Sequence, residues 1–388
     1  MEPIYFDNAA TTALDPSVLE EMMPYLSGSF ANANSAHQKG REAKVAVEKA
    51  RDTIADLIGA DPSEIVFTSG GTESDNAIVQ GVYACGHKKG KKKIISSPLE
   101  HHAVLHTIEC TKLQGGEPLY LTPDSTGMIT AEQVSESIDE QTSLVALMHV
   151  NNEIGTVLPV QEIAMACHEQ GVAFFTDSVQ SIGKLAVNVQ DSEIDFLSMS
   201  AHKIYGPKGI GFMYIRQNTT WMPWLHGGSQ ERRRRGGTLN VPGIVGMAKA
   251  LEIAVENMVS FQKHSAGLRS HLLNKLQTAL PNQFQINGSE TNGVPHILNL
   301  SFFNKDGRGV DGEMLLLNLD IENICVSNGS ACTSGAVEPS HVLLGIGLPP
   351  EKATSSIRIS FGKHNTTQEV DYFIEKLTLI LNRMTAHA

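Results

Sequence analysis

Cysteine is scarce here: five residues in 388, at Cys85, Cys110, Cys167, Cys325 and Cys332. Their odd number and wide scatter exclude a disulfide framework, and no C-x-x-C pair offers a zinc clip, so reduced thiols are expected. Long hydrophobic runs are missing too. No segment approaches the roughly 20 consecutive apolar residues of a membrane span, and Met1–Asp7 lacks the basic, apolar and cleavage regions of a signal peptide. A cytoplasmic protein without membrane association is therefore expected. Positive charge is in the minority, with 30 Lys plus Arg against 42 Asp plus Glu and a formal charge of -12. That balance opposes non-specific attraction to nucleic acid, so no direct nucleic-acid binding is expected. Internal repeats and low-complexity tracts are absent, which excludes solenoids, collagen and coiled coils.

What is present is an ordinary globular composition, 41% hydrophobic and 19% charged. Strand-length apolar runs alternate with amphipathic segments through the first two thirds of the chain. Ile65–Thr68, Ile94–Ser96, Ser143–Met148, Ala173–Thr176, Phe196–Met199 and Gly211–Ile215 read as strands. Helices are expected over 73–84 and 102–113. Short, nearly all-apolar strands separated by helices indicate a sheet buried on both faces, hence a mostly parallel α/β fold. From Val241 one long helical pattern continues past Met258 towards Leu280, where Pro281 ends it. The last hundred residues read as further strands, such as Ile297–Ser301 and Ile357–Phe361, with a closing helix over 368–384. A domain boundary is expected near residue 259.

Three features carry chemistry. Thr68-Ser69-Gly70-Gly71-Thr72 sits where a strand hands over to a helix, and the free N–H groups of a helix start suit a phosphate. Asp177 ends an apolar strand, where a carboxylate can keep a pyridinium nitrogen protonated. Lys203, in Ser200-Ala201-His202-Lys203, stands just beyond another strand end, where open α/β sheets place their ligands and where a lysine can form a Schiff base. Each alone has an ordinary structural explanation: a turn, a helix cap, a surface lysine. Together, in this order, they point to pyridoxal phosphate. His101, His102 and His106 lack a fourth ligand at suitable spacing, so no metal is expected. Arg232–Arg235 and the lysine-rich stretch 88–93 read as solvated loops.

The chain resembles the fold-type I pyridoxal-phosphate enzymes of the class V aminotransferase group, and within it the cysteine desulfurases of the NifS and IscS kind. The strings that carry the likeness are Tyr5-Phe6-Asp7-Asn8-Ala9-Ala10-Thr11-Thr12, Asn34-Ser35, Gly70-Gly71-Thr72-Glu73-Ser74, Glu100-His101, Val150-Asn151-Asn152-Glu153-Ile154-Gly155, Ser200-Ala201-His202-Lys203 and Ser327-Asn328-Gly329-Ser330-Ala331-Cys332-Thr333-Ser334. The resemblance implies a large domain over 14–258 with a mostly parallel seven-stranded sheet. It also implies a smaller α+β domain from 1–13 and 259–388. It implies that Lys203 carries the cofactor, that Asp177 pairs with its ring nitrogen and that His101 stacks on the ring. Gly71, Thr72, Ser200 and His202 would hold the phosphate, with Thr238 reaching in from the second subunit of a homodimer. Gln180 would contact the ring hydroxyl. Asn34, Asn152 and Arg358 would bind substrate. Cys332 would attack the sulfur of L-cysteine, leaving L-alanine and a persulfide for an unidentified sulfur-acceptor protein, in iron–sulfur cluster assembly or thiolation of nucleic acids. The alternative is a selenocysteine lyase or another class V relative.

Overall fold

The computed structural model describes residues 2–328 and 339–386. Cys332 lies outside the described residues. The strands, in chain order, are β1 (Ile4–Tyr5), β2 (Ile65–Thr68), β3 (Lys93–Ser96), β4 (Glu117–Tyr120), β5 (Thr142–Ala146), β6 (Ala173–Asp177), β7 (Phe196–Ser200), β8 (Gly211–Ile215), β9 (Phe284–Asn287), β10 (Ile297–Phe302), β11 (Ile324–Cys325) and β12 (Ser356–Ser360).

The expected α/β architecture is present, with β2 to β8 forming one seven-stranded sheet in the order β2-β8-β7-β6-β5-β3-β4. Only β8 runs against its neighbours. The carboxyl ends of β2, β3, β5, β6 and β7 therefore share one edge of the sheet. Both faces are covered, and consecutive side chains split between them as strand geometry requires. Phe174, Leu197 and Phe212 join Ile54, Phe67 and Leu251 on one face, while Phe175, Phe196 and Met213 join Tyr83 and Ile108 on the other. The edge strand β4 had no apolar signal in the sequence. It is half exposed and carries Pro118, which an edge tolerates because one side of its backbone needs no partner.

A second body has the three-stranded antiparallel sheet β12-β10-β9 packed on helices Met258–Ala279 and Thr367–Ala386. Its core includes Leu272, Leu276, Phe302 and Phe373, and it takes Ile4 and Phe6 from the other end of the chain. Phe6 meets Phe361 and Phe373 edge-on at 5.6 and 6.0 Å. The single helix expected from Val241 towards Leu280 is two, Val241–Glu256 and Met258–Ala279. Asn257 separates them at φ -99° and ψ 5°, and its Nδ2 donates to the Ile253 carbonyl at 2.9 Å. An Asn side chain competes in this way for the carbonyls that would continue a helix.

A buried ion pair ties the first long helix to a strained loop. Arg51 donates to both Glu231 carboxylate oxygens at 2.9 and 2.7 Å and to the Ile65 carbonyl at 2.7 Å. Glu231 also accepts from the Phe67 N–H at 2.9 Å. Glu231, Arg232 and Arg233 all take the left-handed backbone conformation, at φ 45°, 55° and 67°, each at a cost of roughly 1 kcal/mol. Glu231→Ala leaves the buried Arg51 with only the solvent-exposed Glu48 carboxylate, 3.2 Å from its Nε, so urea unfolding is expected to show a loss of about 3 kcal/mol. The double replacement Arg51→Met with Glu231→Leu is expected to regain much of it. A single-variant loss below about 1 kcal/mol would mean that water replaces the pair.

Candidate active site

Helix starts and strand ends leave backbone donors unpaired, and in an open sheet these converge at the carboxyl edge. That edge borders a cavity of about 610 Å³ lined from both bodies of the chain. At the end of β2, Gly70 has φ 151° and precedes helix Gly71–His87 without a side-chain cap. A Cβ on Gly71 would lie 2.8 Å from the Val179 side chain, and one on Gly70 would lie 3.4 Å from Ser200 Oγ. Glycine thus keeps this cradle open, and Thr72 and Ser200 line it. A tetrahedral anion suits it.

Asp177 ends β6 and Lys203 closes the short turn after the adjacent β7. Asp177 is buried and accepts from the Val179 N–H at 2.9 Å. Burial raises its pKa, opposed by the charges of His101 and Lys203. Lys203 Nζ donates to the Ala9 and Ala10 carbonyls, both at 2.7 Å. Burial and the nearby Arg358 charge bring its pKa down to about 8, with Asp177 and Asp7 opposing. An amine so placed is a nucleophile close to neutral pH.

His101 caps helix His102–Thr111, its Nδ1 accepting from the Ala103 N–H at 3.1 Å. That bond leaves the proton of the neutral ring on Nε2. The surrounding protein depresses its pKa by burial, while the ring stays open to the cavity. His202 shares a hydrogen bond with Thr11 Oγ1 at 3.1 Å, and burial, with the charges of Lys203 and Lys208, takes it down to about 4. Gln180 Nε2 donates to the Ala9 carbonyl at 2.8 Å. Arg358, on β12, is already engaged: it donates to Asp7 Oδ1 at 2.7 Å and to the Asn152 carbonyl at 3.0 Å, and among the described residues its Nε has no partner.

Gly71, Thr72, His101, Asn152, Asp177, Gln180, Ser200, His202, Lys203 and Arg358 thus all line the one cavity. Two expected residues do not. Asn34 is exposed, its N–H held by Asn32 Oδ1, and Thr238 is exposed and outside the cavity wall. The sequence reading assigned no role to the Ala9 and Ala10 carbonyls, to Asp7 against Arg358, or to Asp75, which lines the cavity fully buried. The signal for the carbonyls was the run of small residues Asp7–Thr12 directly after an apolar strand.

Residues 4–373 match the family model described as aminotransferase class-V. The chain belongs to this family. Among class-V relatives, the putative cysteine desulfurase IscS 1 of Bacillus subtilis (strain 168) is 44% identical over 386 residues, 99% of this chain and 100% of the relative. A structure described as a NifS-like protein matches with a TM-score of 0.90 at 40% identity, covering 98% of this chain and 100% of that one. Another, described as SspA in complex with cysteine, matches with a TM-score of 0.82 at 39% identity, covering 94% and 100%. Class-V aminotransferases are pyridoxal-phosphate enzymes.

A lysine attacks a carbonyl only as the free amine. In the cofactor-free protein, acylation of Lys203 is expected to be half-maximal near pH 8, falling away as pH drops and the amine takes up its proton. Competitive acetylation followed by peptide mass spectrometry measures it. A midpoint at the ordinary lysine value of 10.5 would show that the cavity does not desolvate this amine.

Proposed function

We propose that this protein is a pyridoxal-phosphate-dependent cysteine desulfurase, converting L-cysteine to L-alanine while the sulfur passes to Cys332. One observation carries the reading: a glycine-lined anion cradle, buried Asp177 and the low-pKa amine of Lys203 come from three strand ends to one cavity. They match the phosphate, ring nitrogen and aldehyde of a single ligand. The similarity to a chain described with cysteine bound supports the choice of substrate.

The residues fit the cofactor. Gly71, Thr72, Ser200 and His202 would hold its phosphate, Asp177 its ring nitrogen and Gln180 its ring hydroxyl, with His101 against the ring. Bound there, it supplies an electron sink for the bonds at the substrate α-carbon. Lys203 would hold the aldehyde, and its amine, when free, would serve as a base in the cavity. His101 carries a proton on Nε2 for transfer to substrate. Arg358 meets the substrate carboxylate beside Asn152, which requires its guanidinium to be shared with Asp7. The thiolate of Cys332 attacks the substrate sulfur. A sulfur–sulfur bond forms and the carbon–sulfur bond breaks with its electrons left on carbon, where a proton completes alanine. A persulfide remains on Cys332 for a sulfur-acceptor protein.

Two further assignments belong to this reading. The large domain spans 14–258 and the small domain joins 1–13 to 259–388, which the separate apolar cores support. The active form would be a homodimer, in which Thr238, exposed in the single chain and outside its cavity wall, reaches the phosphate across a two-fold interface.

In the test, Cys332→Ser is expected to bind cysteine with an unchanged spectral response and to release alanine slower by roughly two orders of magnitude or more. Mass spectrometry under turnover should find added sulfur on Cys332. Desulfuration at the wild-type rate by that variant would overturn the reading, and alanine release from selenocysteine alone would favour a selenocysteine lyase. Sedimentation at micromolar concentration is expected to give a dimer, and Thr238→Ala to weaken cofactor retention. A fully active monomer would refute the shared site.

A further inference from the structure

Lys184 is a buried lysine to which the proposed chemistry gives no part. It follows a tight turn after β6, where its N–H bonds to the Ser181 carbonyl at 2.9 Å. The turn passes through Gly183 at φ 75°, where a Cβ would lie 2.8 Å from the side chain of Ala254. The Lys184 carbonyl accepts from Gln262 Nε2 at 2.6 Å, which fixes the backbone. The side chain is only 7% exposed, and among the described residues no carboxylate pairs with it. Its Nζ donates to Gln180 Oε1 at 3.0 Å.

That bond settles which way the Gln180 amide faces. Rotating the amide by a half turn would set its oxygen against the Ala9 carbonyl, repulsive in either protonation state of Lys184, and its NH2 against the Lys184 amine, repulsive when that amine is protonated. In the observed orientation Gln180 Nε2 donates to Ala9 O at 2.8 Å, and the second N–H of that nitrogen remains for the cavity that Gln180 lines. Lys203 Nζ donates to the same Ala9 oxygen at 2.7 Å. The two lysines are thus joined through one amide and one carbonyl.

We infer that Lys184 is a positioning residue: it locks the Gln180 amide so that an N–H is presented to the cofactor ring, and it steadies the Ala9 carbonyl on which the Lys203 amine rests. The inference depends on the cofactor reading above. Burial and the Lys203 charge bring Lys184 to about 7. The amine donates in either protonation state and the Ala9 carbonyl opposes the rotated amide in both, so the observed orientation persists across neutral pH and is held most firmly when Lys184 is protonated. Lys203, His202 and His296 are the titratable groups coupled to this amine by charge.

The test is a double-mutant cycle on full-length protein, stripped of cofactor and reconstituted with pyridoxal phosphate, reading its dissociation constant and the visible absorbance band. Lys184→Met is expected to weaken cofactor binding about tenfold and to displace the band. It should lower kcat for cysteine while leaving KM nearly unchanged. Gln180→Leu is expected to do the same, and the double variant to lose no more than Gln180→Leu alone. If Lys184→Met does not yield folded protein, Lys184→Gln takes its place in the cycle and the same non-additivity is required. An unchanged band and affinity in Lys184→Met, or losses that multiply in the double variant, would overturn the inference. A wild type that forms no visible band would overturn the cofactor reading and this inference with it. A wild type that forms the band yet releases no alanine from cysteine would sink the desulfurase reading alone.

Discussion

Asp177 and Lys203 stand at the ends of neighbouring strands, out of water, where either one charged alone is costly. Burial pushes the carboxyl up and the amine down, and each opposes the shift in the other. Much of the surrounding structure answers this constraint. The Val179 N–H serves Asp177, while two backbone carbonyls serve Lys203 and allow it to remain an amine with a low proton affinity. A carboxylate in place of those carbonyls would raise its pKa and remove the nucleophile at neutral pH.

The carbonyls come from the first ten residues, and this explains why so short a segment belongs to both bodies of the fold. Ile4 and Phe6 are part of the smaller core, and β1 pairs with β11. Three residues later, Ala9 and Ala10 are under Lys203, and Thr12 holds the turn after it through its bonds to His202 and Tyr205. Between the two, Asp7 takes the guanidinium of Arg358 from β12. A displacement of the small body relative to the sheet would therefore be felt at Lys203 and Arg358 together. Packing couples the lysine to the arginine.

The sheet was legible because β2, β3, β5, β6, β7 and β8 are buried on both faces and so had to be apolar throughout. β4 was not, since an exposed edge with Pro118 leaves no such run. The paired helices were read as one because hydrophobic period carries across Asn257, and only its side chain, bonding back to Ile253, marks the break. At the site, Lys203, Asp177 and the glycine pair were legible because each lies at the junction of an apolar strand with a polar turn. The contact of Asp7 with Arg358 was not, since 351 positions separate them and neither residue predicts the other. Lys184 was passed over for a physical reason: a lone lysine beside a glycine reads as solvated, and burial is a property of the fold around it.

The balance of charge in the cavity then bears on how an anionic substrate enters. Lys203, Lys208 and Arg358 line the wall, while the neighbouring histidines are held neutral by burial. Of the wall's acids, Glu73 is taken by Arg235 in a two-point pair at 2.7 and 3.0 Å. Asp75 is fully buried beside Asp177, and desolvation together with that neighbour's charge holds it towards its protonated form. Asp7 offsets Arg358 as Arg235 offsets Glu73, which leaves Lys203 and Lys208 against Asp177 on the wall, a balance more positive than that of the chain as a whole. Neutral histidines matter to that balance, because charging His101 or His202 would add repulsion against Lys203, and charging His101 would also remove the Nδ1 lone pair that accepts from the Ala103 N–H. An anion that fills the cradle relieves repulsion among the cations instead. The site is built for a ligand that brings negative charge with it.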